Sequence, residues 1–554
     1  MTNAFSSYIA KQCGYALHLD ALPASVQPTP RPADPVEALR ARMGTEFEEQ
    51  VGEILTESHP DLVHVRGENS VAQTTAAMDA GALLIWNASL PEDIVNRRTG
   101  KPDLLVRFGD APQAGNWRYV PVDVKSHDPY DVRSTDRKTV VLGSLETMSI
   151  NEGEVVNAVA KNDDQLQLSH YWCMLDSLNR APQDTDPIGG IIGRVELAPL
   201  LIWVPLDISD YRDKFTHALT VIDHATTITA SPLTDTSARS YPHTECSSCH
   251  WFSVCDQQWQ DRDDIGLAVD DRLAGKLKEE GIATRTELAK LDLAAIPPNQ
   301  STRIDGVLKA RAQIGNRAVI RPTANDHYFR IPSSNIEIDV DMEDFTTHCY
   351  LWGTYTTIKS ANTPRNLVEG YRAFAAFESD GQTFAEASDT NEAETFIKFW
   401  RWVKELIRDC DQLETTITFY CYTGAENRWL RSIAMRYAGK PGIPSIDEIE
   451  AFITSQYWVD VHYGVKMLWV TGTGAGLKSI APIVGHHWDD ENDGGAQSLL
   501  WFDDATHSTD PAVRLERSQK LLRYNENDVL ATKRIRDYLR SNWPFAEVEP
   551  PTLP

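Results

Sequence analysis

Alternating apolar and polar residues predict a short β-strand over residues 120–126. Its valines occupy one face, so Asp123 and Lys125 project together from the other face. Upstream, Gly100 and Asp103 stand at a turn that enters a second apolar strand. A carboxylate beside an ammonium group on one rigid strand can hold a divalent metal ion and orient a water molecule or a phosphate, although the same pair is also common as a surface ion pair.

Two other segments of the first half repeat apolar residues with the period of an α-helix. Residues 36–58 place apolar side chains at every fourth position, and Glu48 lies within this predicted helix. Residues 161–171 form a second predicted helix, in which Gln167 and Tyr171 are one turn apart. Taken singly, each pattern is typical of an ordinary amphipathic helix.

The second half of the chain carries a comparable set of acidic residues. Alternation over residues 336–343 predicts a strand with Asp339 and Asp341 on one face, and Glu426 stands where a later strand enters a helix. Asp528 enters the last predicted helix one turn after a tyrosine. Acids on a first strand and on later elements can converge as ligands of two metal ions at a phosphodiester. We therefore expect a second acidic site here.

Residues 271–315 are predicted to be helical and separate the two halves. Two short apolar helices with a glycine-containing turn, at 277–291, resemble a helix-hairpin-helix that can seat a DNA backbone, but a plain helical linker fits the same pattern. The expected organisation is a first domain over 1–265, a helical linker over 266–325 and a second domain over 326–554.

Composition narrows the class of protein further. The length of 554 residues fits about three domains, and 42% hydrophobic with 24% charged residues is typical of a soluble globular protein. No apolar run reaches the roughly 18 residues of a membrane span and the N-terminus lacks a signal-peptide pattern, so we expect a cytoplasmic protein with no membrane partner. The net charge of −27 argues against a broad nucleic-acid-binding surface but leaves room for a narrow basic channel.

Four of the eight cysteines are spaced as metal ligands. Cys246, Cys249 and Cys255 supply three thiolates within one short stretch, and Cys13 is the other cysteine outside the apolar or mixed segments. Four thiolates suit either a zinc ion or an iron–sulfur cluster, and His250 could replace a cysteine at zinc. Closing either site with Cys13 would join the two ends of the first domain.

The motifs of the first half, in their order, resemble those of RecB-type nucleases of the PD-(D/E)XK superfamily. They are Gly44-x3-Glu48, Gly100-x2-Asp103, Asp123-x-Lys125 and Gln167-x3-Tyr171. The cysteine layout is similar to that of AddB and the CRISPR-associated RecB-like nucleases, in which a 4Fe–4S cluster staples the nuclease domain. The resemblance implies an α/β restriction-endonuclease-like fold, and it favours a structural 4Fe–4S cluster at Cys13, Cys246, Cys249 and Cys255 over zinc.

The second half resembles the RNase H-like fold of DnaQ-type (DEDD) exonucleases, in the version fused to RecB-like nucleases. The final Tyr-x3-Asp motif is present at Tyr524 and Asp528. The usual first pair is Asp-x-Glu, and it is matched here to Asp339-x-Asp341, which keeps the ligand type but shortens its reach. The first active site is therefore expected to be the better preserved of the two.

Together the resemblances imply a DNA nuclease that depends on Mg²⁺ or Mn²⁺ and acts on single-stranded or ended duplex DNA in repair, recombination or defence. Asp103 and Asp123 would bind the metal, helped by Glu48. Lys125 would orient or deprotonate the attacking water, and the remaining motif residues would position DNA or support this lysine. The second centre would trim 3′ ends, with Glu426 as a catalytic acid and with metal at Asp339, Asp341 and Asp528.

Two other functions fit the same sequence. A non-catalytic subunit that binds DNA ends or a helicase partner is favoured by the acidic charge and by the altered second-half motifs. An RNA 3′ exonuclease carried by the second half alone is the other. The chain has no Gly-x4-Gly-Lys-Ser/Thr motif, so any unwinding would come from a helicase partner.

Overall fold

The computed structural model divides the chain into two compact units. The first comprises Met1–Ser240 and Ser248–Cys255, and the second comprises Tyr241–Ser247 and Asp256–Pro554, so the predicted linker lies within the second unit. The residues that the structure describes are 4–113, 115–132, 140–183, 185–195, 198–228, 240–322, 331–488 and 495–542. No helix within these ranges is long and apolar enough to cross a membrane.

A mixed sheet organises the first unit. The strands of this unit are β1 (Val63–His64), β2 (Leu84–Trp86), β3 (Leu104–Gln113), β4 (Asn116–Val124), β5 (Tyr130–Val132), β6 (Val140–Leu142), β7 (Val155–Val156), β8 (Ala158–Ala160), β9 (Ile188–Val195) and β10 (Ala198–Pro205). Strands β5 and β8 form a separate two-stranded ribbon, and the others form the mixed sheet. The order across the sheet is β1-β2-β3-β4-β9-β10-β6-β7. The central strand β4 pairs antiparallel with β3 and parallel with β9.

Helices pack on this sheet and bury its apolar side chains. They are α3 (Pro35–Ser58), α4 (Ser70–Ala80) and α5 (Asn162–Ser177), while α1 (Tyr8–Lys11), α2 (Gly14–Ala21) and α6 (Ile208–Ala225) form a second apolar cluster with α5. Helix α3 begins at Pro35 because the carboxylate of Asp34 accepts the amide hydrogen of Val36. The helices predicted at 36–58 and 161–171 are thus confirmed as α3 and α5, and their apolar faces join the strands in one core.

The buried imidazole of His170 joins α5 to its neighbours. Its Nε2 lies 3.0 Å from the carbonyl oxygen of Thr99, and its Nδ1 lies 2.7 Å from the hydroxyl of Tyr211. Since a carbonyl can only accept, Nε2 carries the proton and Nδ1 accepts from the tyrosine. Burial lowers the pKa of His170 to about 4, so the ring is neutral at physiological pH.

The second unit combines a helical segment with a five-stranded sheet. Helix α7 (Phe252–Asp261) includes Cys255 and belongs to the second unit from Asp256 on, and the helices after it are α8 (Asp271–Glu279), α9 (Arg285–Ala289), α10 (Ser301–Gly315), α11 (Asp389–Gln412), α12 (Ala425–Arg436), α13 (Ile446–Ile453), α14 (Val461–Leu468), α15 (Leu477–Ile480), α16 (Gly495–His507) and α17 (Pro511–Ser541). The strands are β11 (Val319–Ile320), β12 (Ile336–Phe345), β13 (His348–Ile358), β14 (Gly370–Ala375), β15 (Ile417–Cys421), β16 (Trp458–Asp460) and β17 (Trp469–Val470).

The order of the main sheet is β14-β13-β12-β15-β16, with β11 and β17 forming a separate ribbon. The first three strands form an antiparallel meander, and β15 and β16 then continue the sheet in parallel with β12. Strand β12 alternates as predicted, because its isoleucines and Val340 enter the core while its acids face the other way. The acid-bearing face contacts α17, the longest helix described.

Candidate functional site

Three carboxylates of the second unit converge on one point. Asp341 and Glu343 on β12 and Asp528 on α17 each offer an oxygen, and these oxygens all lie within 4.8 Å of one another. This is the one group of three or more metal-ligating side chains at that spacing among the residues described. Burial, and then the charges of the other carboxylates, raise the pKa of Asp341 and of Glu343 well above the ordinary range.

The geometry of β12 and α17 explains why these acids meet. The contacts along the strand run from Arg536 near its start to Asp528 near its end, so α17 runs alongside β12 in the opposite direction. Eight residues of helix rise about 12 Å, and the four residues from Asp339 to Glu343 rise about 13 Å. The two lengths are nearly equal, so Asp339 can face Arg536 while Glu343 faces Asp528.

Asp339 lies outside the carboxylate group, which corrects the expected position of the first acidic pair. Its side chain is fully buried, and its Oδ2 lies 3.1 Å from Nη1 of Arg536. Burial raises the pKa of Asp339 to about 7 against the opposing effect of Arg536. Glu337 pairs with the same arginine at 3.1 Å. The pair that meets Asp528 is Asp341-x-Glu343, the usual Asp-x-Glu, two residues further along the strand than expected.

Asp528 is held by two donors that its own helix does not supply. Lys478 Nζ donates to Asp528 Oδ1 at 3.0 Å, and Trp488 Nε1 donates to the same oxygen at 2.6 Å. The lysine ammonium also lies over the rings of Trp488, at 3.7 Å, and Tyr524, at 4.3 Å. Burial nevertheless raises the pKa of Asp528. Lys478 thus places one positive charge beside the three carboxylates.

Asn525 orients Asp341 from the preceding turn of α17. Its Nδ2 donates to Asp341 Oδ2 at 2.7 Å, while its Oδ1 accepts from the hydroxyl of Tyr371 at 2.8 Å. Gly353 stands opposite Asp341 on β13, and a Cβ atom there would lie 1.6 Å from Asn525 Oδ1. A residue with a side chain at this position would therefore displace Asn525.

Glu426, the middle acid expected from the sequence, lies at the start of α12. It is buried, and Thr423 Oγ1 donates to its Oε2 at 3.0 Å. Burial raises the pKa of Glu426 to about 7. Its charge contributes to the raised pKa of Asp341, although Glu426 is outside the group of three.

The first unit brings together its own set of predicted residues. Asp123 lies near the end of β4, and its carboxylate forms an ion pair with Lys125, which follows the strand. Lys125 Nζ also donates to Gln167 Oε1 at 3.3 Å, and Gln167 Nε2 donates to the hydroxyl of Tyr171 at 3.0 Å. Asp103 Oδ2 accepts the backbone amide hydrogen of Val124 at 2.6 Å.

Burial and neighbouring charge shift the pKa values around Asp123, which is 1% exposed. Burial, followed by the charge of Asp123, raises the pKa of Asp103 well above its ordinary range and raises that of Glu48. Burial opposes the charged form of Lys125, but Asp123 and Asp103 together raise its pKa. The amine is therefore protonated in the metal-free protein.

Gly100 has a steric role in this site. A Cβ atom at Gly100 would lie 2.8 Å from the ring of Tyr171 and 2.9 Å from the sulfur of Met174. The glycine of the Gly100-x2-Asp103 motif thus lets helix α5 approach the start of β3. This contact brings the tyrosine to the carboxylates.

Sequence reasoning gave no role to Lys11, at the end of α1. Its Nζ donates to Gln167 Oε1, the same oxygen that Lys125 contacts. Burial, followed by the charge of Lys125, lowers the pKa of Lys11. Two ammonium groups therefore share one acceptor beside acidic side chains. The one feature of the sequence that could have indicated Lys11 is its position two residues before Cys13.

His250 and Trp251, which follow Cys249, contact the N-terminal region of the first unit. His250 Nε2 and Trp251 Nε1 each lie 2.9 Å from Asp20 Oδ1, so His250 is engaged by a carboxylate. Asp20 and His250, which are 230 positions apart, are thus in contact. Burial, and to a smaller extent the charge of Cys13, raise the pKa of Cys249. The four-cysteine cluster itself stays a prediction, as does the role of Cys246 and Cys255 in it.

The strand order and helix placement of the second unit define an RNase H-like fold in its C-terminal region. Residues 370–540 match a family model described as RNase_H superfamily. The matched range begins with β14 and includes Glu426 and Asp528, while Asp341 and Glu343 on β12 precede it. No curated protein and no solved structure gives a significant match to the chain.

Proposed function

We propose that this protein is a metal-dependent nuclease that hydrolyses phosphodiester bonds at the carboxylate group of its second unit. The observation that carries this proposal is the convergence of Asp341, Glu343 and Asp528 within 4.8 Å in an RNase H-like fold. Proteins of this superfamily are generally nucleolytic. Hard oxygen ligands at this spacing suit Mg²⁺ or Mn²⁺. The pKa values of Asp341 and Glu343 are raised because the carboxylates are buried and repel one another, and a divalent cation would neutralise this negative charge.

The chain's own residues would prepare this site in distinct ways. Asp341, Glu343 and Asp528 would hold the metal, which when bound supplies a nucleophilic water and offsets charge on the phosphate. Asn525 fixes the rotamer of Asp341, and Trp488 and Lys478 both donate to one oxygen of Asp528. Lys478 adds a cation beside the carboxylates, where a phosphate oxygen would gain negative charge.

The same proposal gives the first unit a second hydrolytic centre of the RecB type. Asp103 and Asp123 would hold Mg²⁺ or Mn²⁺, helped by Glu48, which extends from α3. Lys125 is fixed by Gln167 and would orient the attacking water. The shared acceptor of Lys11 and Lys125 supports an anion site here, because a phosphate would relieve the repulsion of two neighbouring ammonium groups.

Single- or double-stranded DNA with free ends is the proposed substrate, and 3′ trimming is the proposed action of the second unit. A 4Fe–4S cluster at the four cysteines would be structural, and a role in repair, recombination or defence is part of the same proposal. The net charge of −27 restricts contact with DNA to local basic sites. It also keeps a DNA-end-binding subunit as the main rival function.

A nuclease assay with one variant in each unit tests the proposal. Asp528→Asn and Asp123→Asn are compared with the wild type on 3′- and 5′-labelled DNA and RNA strands in Mn²⁺. Glu405→Gln, on the exposed face of α11, is the matched control for the second unit. We expect each active-site variant to remove one set of products. Full activity in both variants would show that neither site carries the hydrolysis, and binding without hydrolysis in the wild type would favour the rival function.

A further inference from the structure

A cavity of about 450 Å³ lies in the second unit between the helical segment and the loop after β17. The helical side contributes Leu273, Lys309 and Asp270, whose carboxylate caps α8. The opposite side contributes Lys466 of α14 and the loop 471–475. This volume is within the range of pockets that hold a small organic ligand.

Two lysines of the cavity have no anionic partner among the residues that the structure describes. Lys309 is half-buried, and burial lowers its pKa, while Lys466 is exposed. Arg321, the third cation, forms an ion pair with Asp305 and donates its Nε to the backbone oxygen of Lys466 at 2.8 Å. The lining carries three cations, Lys309, Lys466 and Arg321, and the two carboxylates of Asp270 and Asp305, so the cavity has a net positive charge in a chain whose overall charge is −27, and this favours an anionic ligand.

The loop that closes the cavity is fixed and rich in small residues. Gly474 has a φ of +103°, a conformation that favours glycine. Gln313 Nε2 donates to the backbone oxygen of Gly472 at 3.2 Å, and Tyr422 donates its hydroxyl to that of Ala475 at 2.9 Å. The loop is therefore anchored at both ends, and its lack of large side chains allows a ligand to approach the backbone.

The same loop leads directly to the carboxylate group. Lys478 is three positions after Ala475, a span of at most about 10 Å. Lys478 donates to Asp528 at 3.0 Å. Stacked nucleotides advance by about 3.4 Å along one strand, so the backbone from Ala475 to Lys478 corresponds to at most about three nucleotides, and the Lys478 side chain spans the remaining distance to Asp528.

We infer that this cavity binds one nucleotide unit of the strand that is hydrolysed at the carboxylate group. Its phosphate would lie at Lys309 and Lys466, and its base or sugar would lie against Leu273. This inference rests on the proposed nuclease function of the second unit. A free nucleoside monophosphate has the same chemistry, and the experiment separates the two sources.

The experiment measures binding of a fluorescent single-stranded 12-mer to the full chain in chelator, where hydrolysis is absent. Lys309→Gln with Lys466→Gln is compared with Lys290→Gln, an exposed lysine of the same helical segment outside the cavity. Each lost phosphate contact should make the slope of log K against log salt less steep by about 0.7. This corresponds to a roughly eightfold loss of affinity at 50 mM salt. Lys309→Arg with Lys466→Arg should show the wild-type slope, because this variant keeps both positive charges.

The outcomes separate this inference from the function on which it rests. Weakened binding of the oligonucleotide, with no competition from nucleoside monophosphates, supports the strand site even if the wild type fails to hydrolyse DNA. Competition by a monophosphate that the glutamine variant abolishes would overturn it in favour of a free-nucleotide site. Equal affinity and slope in the glutamine variant and the wild type, with hydrolysis intact, would overturn the cavity as a binding site.

Discussion

Exchanging carboxylates for amides on β12 tests which acidic pair forms the site of the second unit. Glu343→Gln removes a member of the carboxylate group, whereas Asp339→Asn alters the acid that faces Arg536. We expect Glu343→Gln to abolish hydrolysis by this unit and, in chelator, to stabilise it. Asp339→Asn should leave hydrolysis and the response to metal in place.

The size of the stabilisation follows from the spacing of the carboxylates. Two negative charges 4.8 Å apart repel each other by roughly 3 kcal/mol at an effective dielectric constant of about 20. Glu343→Gln removes two such interactions, but the raised pKa values of the group leave part of it protonated near neutral pH. A net gain of about 3 kcal/mol in the free energy of unfolding at pH 8 is therefore expected.

Hydrogen exchange of peptides from β12 and α17 provides the assay, because it reports on the second unit alone. In chelator, protection should be greater in Glu343→Gln than in the wild type. Mn²⁺ at about 100 times its Kd should stabilise the wild type by about 2.7 kcal/mol and the variant by much less. Asp339→Asn should show the wild-type response to Mn²⁺.

The reverse pattern would refute this assignment. If Asp339→Asn lost hydrolysis and the response to Mn²⁺ while Glu343→Gln retained both, the first acidic pair would be Asp339 and Asp341. Glu405→Gln controls for the loss of one negative charge, since its side chain is exposed on α11. It should change neither protection nor activity.

Three other predictions concern the first unit. Asp123→Ala should lower DNA hydrolysis by the first unit by about 100-fold or more in a product assay. Glu53→Gln, at an exposed position of α3, is the control, and an equal loss of activity there would indicate a general folding defect. His170 has a pKa lowered from 6.5 to about 4, so it contributes stability that is complete above pH 6.5 and is lost as the pH falls to 4. His170→Gln should remove about 3 kcal/mol of this pH dependence in urea titrations, and an unchanged profile would contradict it. Purified protein should absorb visible light as an iron–sulfur protein does, and Cys249→Ser should remove this absorption, whereas colourless protein with stoichiometric zinc would exclude the cluster.

The motifs of the first half were predictable because each is local and each lies on a strongly patterned element. Asp123 and Lys125 share a face by the period of the strand, and Gln167 and Tyr171 by the turn of the helix. The structure connects them in one hydrogen-bonded chain. Lys11 could not be predicted in this way, since its contact with Gln167 joins residues 156 positions apart and follows no local period.

The first acidic pair of the second half could not be assigned from β12 alone. Glu337, Asp339, Asp341 and Glu343 all occupy the same face by alternation, so the strand pattern gives four equivalent candidates. The choice depends on where α17 places Arg536 and Asp528, and this register is a tertiary property. The contact of Lys478 with Asp528 depends on the same packing.

The length of α17 between Asp528 and Arg536 is constrained by the strand beside it. Inserting one residue there would rotate the two side chains apart by about 100°, so either the buried arginine or Asp528 would face away from β12. Inserting four residues would nearly restore the rotation but would add about 6 Å of length, close to the spacing of two strand residues. Related sequences should therefore tolerate insertions in the loops before this helix, and keep the spacing within it fixed.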